Sequence, residues 1–412
     1  MSLDYLNPNS NLKAIGCFIF GGSASLGVMS AGYHLDKVLE MTENMKEINA
    51  HHFSKNFNDI PIVLPSEWEN EEYLANLKEE KYDILASNCP CSSLSQINRS
   101  ASIDGKNNAQ FYRVFKVIRA VQPKTFFIEN APTLVKLGYP ILKDMTKQLG
   151  DMYKFTIIRD CAGNHGVPMR RMRTLCVGWR KDIFDNKIPV LQMNLQPKIN
   201  CKDAIGDLYN VPVGSFLNHD LVYDKDWSPV ENLFNYVGPD TSAMMAFINQ
   251  WNTINPLMTS AQIRKEIGKN QVKLANNQRL WDKGPYRVAE TSWCPSMTSI
   301  TLLIHPIHNR TFTIREYARL MGYPDNFEFF PDTCKVPIIQ SIAQGVPKNF
   351  VKYITGEIMQ ALEGNRPVDL DSDDKILIFQ HHNHKKWKAF SLSDLDIMTE
   401  LDSDKTFNKL DK

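Results

Sequence analysis

The first half of the chain alternates strand-like runs with helix-like stretches, and this alternation limits the available folds more than any other feature. "KAIGCFIF" (13–20) reads as a strand that ends in the glycine-rich "GGSASLG". "SLGVMSAGYHL" (25–35) then carries Leu26, Met29 and Gly32 at helical spacing. "DKVLEMT" (36–42) predicts a second strand and "NMKEINAHHFSKNF" (44–57) a helix. "YDILAS" (82–87) and "KTFFIEN" (124–130) are further strands. Between them "AQFYRVFKVIRAV" (109–121) sets Phe111, Val114, Phe115, Ile118 and Val121 on one helical face. Strand and helix in regular alternation predict an α/β fold with a doubly wound, mostly parallel sheet.

In such sheets ligands lie beyond the carboxyl ends of the strands. Gly21, Gly22, Glu43, Cys91 and Glu129 are all expected at those ends, which makes a site rather than a core. The stretch "SNCPCSSLSQ" (87–96) places two thiols one residue apart beside a proline, open to four uses: metal ligand, disulfide, packing or nucleophile. Cys89 and Cys91 are too close for a good mutual disulfide. Zinc spacings of the CxxC kind are missing, so no metal is expected. Packing or nucleophile remains. A thiol becomes nucleophilic when deprotonated, and the polar loop 92–108 after Cys91 is long enough to move. Glu129 ends a buried strand before "NAP", where a carboxyl can stay protonated and serve as a general acid; its plainer use is structural. "GVPMRRMR" (166–173) supplies Arg171 and Arg173, two apart and so on one face of a strand.

Composition sets the outer limits. A chain of 412 residues with 43% hydrophobic content can bury a large core, and a formal charge of +1 carries no global basic field. Any polyanion site is therefore a local patch. Residues 261–287 carry seven Lys/Arg against two acids, interleaved with Trp281 and Tyr286, as a phosphate-tracking surface does. A solvated helix face has the same pattern. No apolar stretch reaches membrane-spanning length, and the N-terminus lacks a signal-peptide profile. The eight cysteines, 17, 89, 91, 161, 176, 201, 294 and 334, are scattered, which points to a reducing, cytoplasmic compartment. The regular rhythm stops near residue 190 and compact patterning returns beyond 300. The expected division is 1–190, a first part of the main domain; 191–300, an irregular module; 301–364, completing the main domain; and 365–412, an extension whose "KILIFQ" and "KWKAFSL" suggest a hairpin with a histidine-rich tip.

Taken in order, these segments resemble the DNA cytosine-5 methyltransferases. "CFIFGGSASLGVMSAGY" is similar to the family's glycine loop, "SNCPCSSLS" to its Pro-Cys motif and "FFIENAP" to its Glu-Asn motif. "GVPMRRMR" is similar to QxRxR, "RTFTIREYARLMGYPDNF" (310–327) to the ninth motif and "QSIAQGVPKNF" (340–350) to the last. The resemblance implies a Rossmann-like S-adenosylmethionine-dependent sheet with a smaller target recognition domain at 191–300. It implies a monomeric enzyme of bacterial or phage type that modifies double-stranded DNA in the cytoplasm. It assigns Cys91 as nucleophile and Glu129, Arg171 and Arg173 as its catalytic partners. It places the cofactor against Phe18, Phe20, Gly21, Gly22, Ser23, Glu43, Asn88, Pro90, Gln344, Gly345 and Val346, and DNA against Ser92, Ser95, Lys265, Lys269, Lys273 and Arg279.

Departures from the family pattern concentrate on the cofactor side. Phe20 stands for the first glycine of FxGxG, and Ala343-Gln344 for the closing Gly-Asn. Ser92 follows the nucleophile in place of Gln, and Met169 replaces the Gln of QxRxR. Glu43 is preferred over Glu40 as the ribose-binding acid because Glu40 is expected inside the strand, and the acid of the family's third motif, near "LPSEW", is left unassigned. A variant cofactor that installs another C5 group, or a DNA-binding paralogue without turnover, are the alternatives. The tRNA-methylating branch's Cys-Phe-Thr signature is absent from 191–309, which favours DNA.

Overall fold

The computed structural model describes residues 11–18, 22–57, 59–95, 98, 100–221, 239, 241–242, 286–297, 303–330, 335–369, 375–379 and 387–391. They divide into two compact units. The first comprises Met1–Val167, Arg171–Lys198 and Gly345–Lys412, the second Pro168–Arg170 and Ile199–Gln344.

The first unit is built on one sheet. Its strands are β1 (Lys13–Cys17), β2 (His34–Leu39), β3 (Ile62–Val63), β4 (Ile84–Asn88), β5 (Thr125–Asn130) and β6 (Tyr153–Cys161), together with Met172–Arg180 and the hairpin Lys375–Phe379/Trp387–Ser391. Across the sheet the order is Trp387–Ser391, Lys375–Phe379, β6, Met172–Arg180, β5, β4, β1, β2, β3. Neighbours are parallel except where Met172–Arg180 meets β5 and β6, and within the hairpin. Every residue of β4 and β5 is buried, as expected of central strands covered on both faces. The expected hairpin is present, closed by Phe379 opposite Trp387, while its tip lies outside the described residues.

The helices are α1 (Ser23–Ala31), α2 (Glu43–Asn56), α3 (Pro65–Trp68), α4 (Glu71–Glu79), α5 (Ala109–Val121) and α6 (Tyr139–Leu149), followed by Lys348–Leu362. Helix α5 buries the predicted stripe of Phe111, Val114, Phe115, Ile118 and Val121, and stops at Gln122, whose φ of 53° leaves the helical region. The second strand differs from expectation. Thr42 caps α2, its Oγ1 accepting from Met45 N at 3.3 Å, and this draws residues 41–42 out of β2. The strand ends at Leu39, so Glu40 is the first residue beyond its carboxyl end, and Glu43 stands exposed in the first turn of α2.

In the second unit, Tyr286–Arg287 pairs with Thr241–Ser242 and with Leu303–Ile304. The buried Arg287 guanidinium holds the following turn, donating to His305 O (2.7 Å), His308 O (3.1 Å) and Asn309 Oδ1 (2.7 Å). Helix Ile314–Leu320 starts from a reciprocal cap between Thr313 and Glu316, and both Glu316 oxygens accept from Arg310 at 2.8 Å. Residues 345–364 lie in the sheet unit and 301–344 group with the second unit, where Phe312 N bonds Leu303 O and Thr313 bridges Leu221.

Candidate active site

The carboxyl edge of β4, β5 and the start of Met172–Arg180 form one end of the site. In register, Asn88 lies beside Glu129, Glu129 beside Leu175 and Asn130 beside Thr174. This brings the chain just past β4, Cys89-Pro90-Cys91, next to the end of β5. Asn130 fixes that turn, its Nδ2 donating to Cys89 O at 3.0 Å while its Oδ1 accepts from Ala131 N at 2.8 Å. The two thiols differ sharply. Cys89 is fully buried, 3.6 Å from Ser87 Oγ, and burial pushes its thiol up to about 12. Cys91 is half-buried and packs against the edge of the core.

Glu129 is buried, with Arg173 Nε 2.5 Å from its Oε1. Desolvation raises its carboxyl above the usual range, against the opposing pull of Arg173 and Arg171. Arg171 is also buried, but it precedes its strand rather than sharing a face with Arg173. Its Nη2 donates to Gly345 O at 2.8 Å, tying this strand edge to the segment expected to hold the cofactor. Burial and the neighbouring Arg173 charge lower its guanidinium, while Glu129 and Cys91 act in the other direction.

The loop after Cys91 is organised around Ser92 and Ser93. Asn98 Nδ2 donates to Ser92 O (2.8 Å), Asn107 Nδ2 to Ser92 Oγ, and Ser102 N to Ser93 O (3.0 Å). Ser92 is exposed and Ser95 half-buried. Thr133 Oγ1 donates to Leu94 O.

The ends of β1 and β2 form the other end of the site. Phe18 follows β1 with φ 59°, and its N–H bonds Leu39 O at 2.9 Å. The Phe18 ring lies 6.0 Å from that of Trp68. Trp68 Nε1 donates to Glu40 O at 3.0 Å, and Asn49 Nδ2 donates to Glu40 Oε1 at 2.9 Å. Helix α1 begins after Gly22, whose φ of 85° favours glycine. It packs closely on helix Lys348–Leu362: a Cβ at Gly27 would lie 2.5 Å from Val351 Cβ and 2.8 Å from Lys348 O. Gly345 and Val346 are buried in the same unit as α1.

The residues here fit the cofactor that the resemblance implies. Among the described residues, the Oγ atoms of Ser23 and Ser25 and the Oδ1 of Asn49 are buried without a hydrogen-bond partner, as polar groups that take a polar ligand are. Gln344 is exposed and belongs to the second unit, Asn88 precedes the thiol turn and Pro90 lies between its two cysteines. Phe20, Gly21, Lys265, Lys269, Lys273 and Arg279 lie outside the described residues.

Sequence reasoning missed Asn49, Trp68 and the holding role of Asn130. The only signal for Asn130 was a polar residue ending a buried strand before a proline.

Residues 14–360 match the family model described as C-5 cytosine-specific DNA methylase. The Type II methyltransferase M.NgoPII of Neisseria gonorrhoeae is 24% identical over 370 residues, covering 85% of this chain and 96% of that protein. M.Sau96I of Staphylococcus aureus is 25% identical over 369 residues, covering 87% and 78%. Among solved structures, a prophage-encoded E. coli protein described as a DNA modification methyltransferase superposes with a TM-score of 0.56 at 20% identity, covering 86% of this chain and all of that one. The methyltransferase EhMeth of Entamoeba histolytica gives 0.51 at 16% identity, covering 87% and 99%. These two likenesses show the fold.

Proposed function

The chain belongs to the C-5 cytosine-specific DNA methylase family, and from that premise we propose that it methylates C5 of a cytosine turned out of duplex DNA, through a covalent bond between Cys91 and C6. The observation that carries this is the buried Glu129–Arg173 pair at the same strand edge as the half-exposed Cys91. Cytosine C5 is a poor nucleophile. Addition of the Cys91 thiolate at C6 forms a C–S bond and pushes electron density to N3, which takes a proton from Glu129. Arg173 supports the ring carbonyl and holds the Glu129 carboxyl in place. S-adenosylmethionine, when bound, supplies the electrophilic methyl group that C5 takes up. Loss of the C5 proton to a base then expels the Cys91 thiolate, and N3 returns its proton to Glu129. The target leaves the helix at a cost of a few kcal/mol, and the loop 92–108 excludes water behind it.

Phe18, Gly22, Ser23, Gly345 and Val346 would hold the cofactor, with Glu40 rather than Glu43 as the ribose acid: Glu40 is buried at the strand end, Glu43 exposed on the helix. Residues 191–300 read the target, and Lys265, Lys269, Lys273 and Arg279 contact phosphates. The protein works as a monomer in the cytoplasm, where its thiols stay reduced.

Purified protein incubated with DNA and S-adenosylmethionine labelled in the methyl group should place label in DNA, and digestion should yield 5-methylcytosine by mass spectrometry. A different C5 substituent would move the reading to a variant cofactor. Folded protein that binds DNA without labelling it would make the chain a binding paralogue.

A further inference from the structure

A buried asparagine in the middle of a helix needs an explanation. Asn49 is fully buried on α2, and Asn is a poorer helix former than alanine. Side chains on a helix tilt toward its N-terminus, so Asn49 leans back toward the end of β2, where its Nδ2 meets Glu40 Oε1 at 2.9 Å. Only a donor can face the carboxylate, so the amide orientation is fixed. Its Oδ1 is a buried acceptor without a hydrogen-bond partner among the described residues. From the other side, the Trp68 indole donates to the Glu40 carbonyl at 3.0 Å, and the same ring packs beside Phe18 at 6.0 Å. The Arg113 guanidinium sits over Trp68 at 5.5 Å and pairs with Glu69 at 2.6 Å, which keeps the indole in place. Both the carboxylate and the ring at this end of the sheet are thus fixed by residues that no sequence motif announces.

We propose that Asn49 and Trp68 are positioning residues for the cofactor: Asn49 aims the Glu40 carboxylate at the ribose hydroxyls, and Trp68 fixes the Glu40 backbone and the Phe18 ring together. This rests on the cofactor reading given above. An aimed carboxylate accepts from both hydroxyls of a diol. A carboxylate that keeps its Met41 N contact at 3.4 Å but loses the Asn49 bond is less firmly aimed, and gives up much of that preference without losing contacts made elsewhere in the pocket.

Calorimetry with S-adenosylhomocysteine and its 2′,3′-dideoxy analogue tests this without catalysis. Wild type should prefer the diol by roughly 10–100-fold, the scale of charge-assisted hydrogen bonds. Asn49→Ser should bind S-adenosylhomocysteine roughly tenfold more weakly and bind the dideoxy compound as wild type does, so that the preference falls roughly tenfold. Trp68→Phe keeps the ring and removes the donor, and should show an intermediate loss. Asn49→Leu repeats the test if it folds, and Asn49→Ser suffices if it does not. Retention of the wild-type preference in Asn49→Ser overturns the inference, as does equal weakening of both compounds, which marks a merely structural role. Wild type binding both compounds equally overturns the inference and leaves the cofactor reading standing. Wild type binding neither overturns both.

Discussion

The two ends of the site hold a buried carboxylate each, and they hold it differently. Glu129 meets a guanidinium at 2.5 Å with a second arginine behind it, whereas Glu40 meets a neutral amide at 2.9 Å. Around Glu129 the neighbours are charges whose balance sets a proton's affinity. Around Glu40 they include the Asn49 amide, the Met41 N–H at 3.4 Å from Oε2 and the Trp68 indole that donates to its carbonyl. The first environment suits a group that must give up a proton during a reaction. The second suits one that must accept hydrogen bonds in a fixed direction. Substitutions should therefore separate cleanly: changes near β5 should act on rate, and changes near β1 and β2 on cofactor affinity.

The largest effect belongs to Cys91→Ser, which should abolish methyl transfer while leaving DNA and S-adenosylhomocysteine binding near wild type. DNA containing 5-fluorocytosine should trap the wild type covalently, because the C5 position then has no proton to lose. An adduct of Cys91→Ser that survives denaturation would remove Cys91 from the chemistry.

Glu129→Gln should lower the rate by roughly 10²–10⁴-fold with little change in cofactor affinity, since an amide has no proton to give N3. The pH dependence sharpens this. Burial raises the Glu129 carboxyl, so its acid form persists to higher pH than usual, and activity should fall as pH rises through that raised value. The raised value also means that the folded state holds a proton the unfolded state has already lost, so this group's contribution to stability declines as pH rises through the same window. Both declines should flatten in Glu129→Gln. A parallel alkaline limb in the two proteins would assign it to another group.

On the cofactor side, Gly27→Ala probes how closely α1 lies on helix Lys348–Leu362. The added methyl would meet the Lys348 carbonyl, a backbone atom that cannot step aside, as well as Val351. Overpacking of this kind costs about 1–3 kcal/mol. The melting temperature should fall and S-adenosylhomocysteine should bind more weakly, while trapping by 5-fluorocytosine DNA persists at saturating cofactor. Loss of trapping at saturation would break the separation between the two ends.

The same contrast explains what was legible in the sequence. Helix α5 was readable to its last residue because its apolar period is strong and Gln122 ends it. The β4 and β5 ends were readable because buried strands leave continuous apolar runs, and the polar residues that follow stand out. Glu40 and Glu43 were not separable, since they differ by where β2 stops, and the Thr42 cap decides that through a contact with Met45. Asn49 and Trp68 act across 9 and 28 positions of chain, with nothing local to mark them.

The smallest effect on turnover is expected two residues from the largest. Cys89→Ser exchanges a buried thiol for a hydroxyl of similar shape beside Ser87 Oγ, which lies 3.6 Å from the present sulfur and offers the hydroxyl a partner. What holds the turn is not the thiol. Asn130 grips the Cys89 carbonyl oxygen, a backbone atom that the substitution leaves in place, so Cys91 should still be presented from the same turn. The Cys89 thiol itself is held neutral, since burial pushes it up to about 12. A buried hydroxyl with an imperfect partner costs about 1–3 kcal/mol, so the variant should melt earlier yet keep most of its methyl transfer and all of its 5-fluorocytosine trapping. Equal loss of transfer in Cys89→Ser and Cys91→Ser, with both proteins folded, would mean that the two thiols share the chemistry and that burial does not separate them.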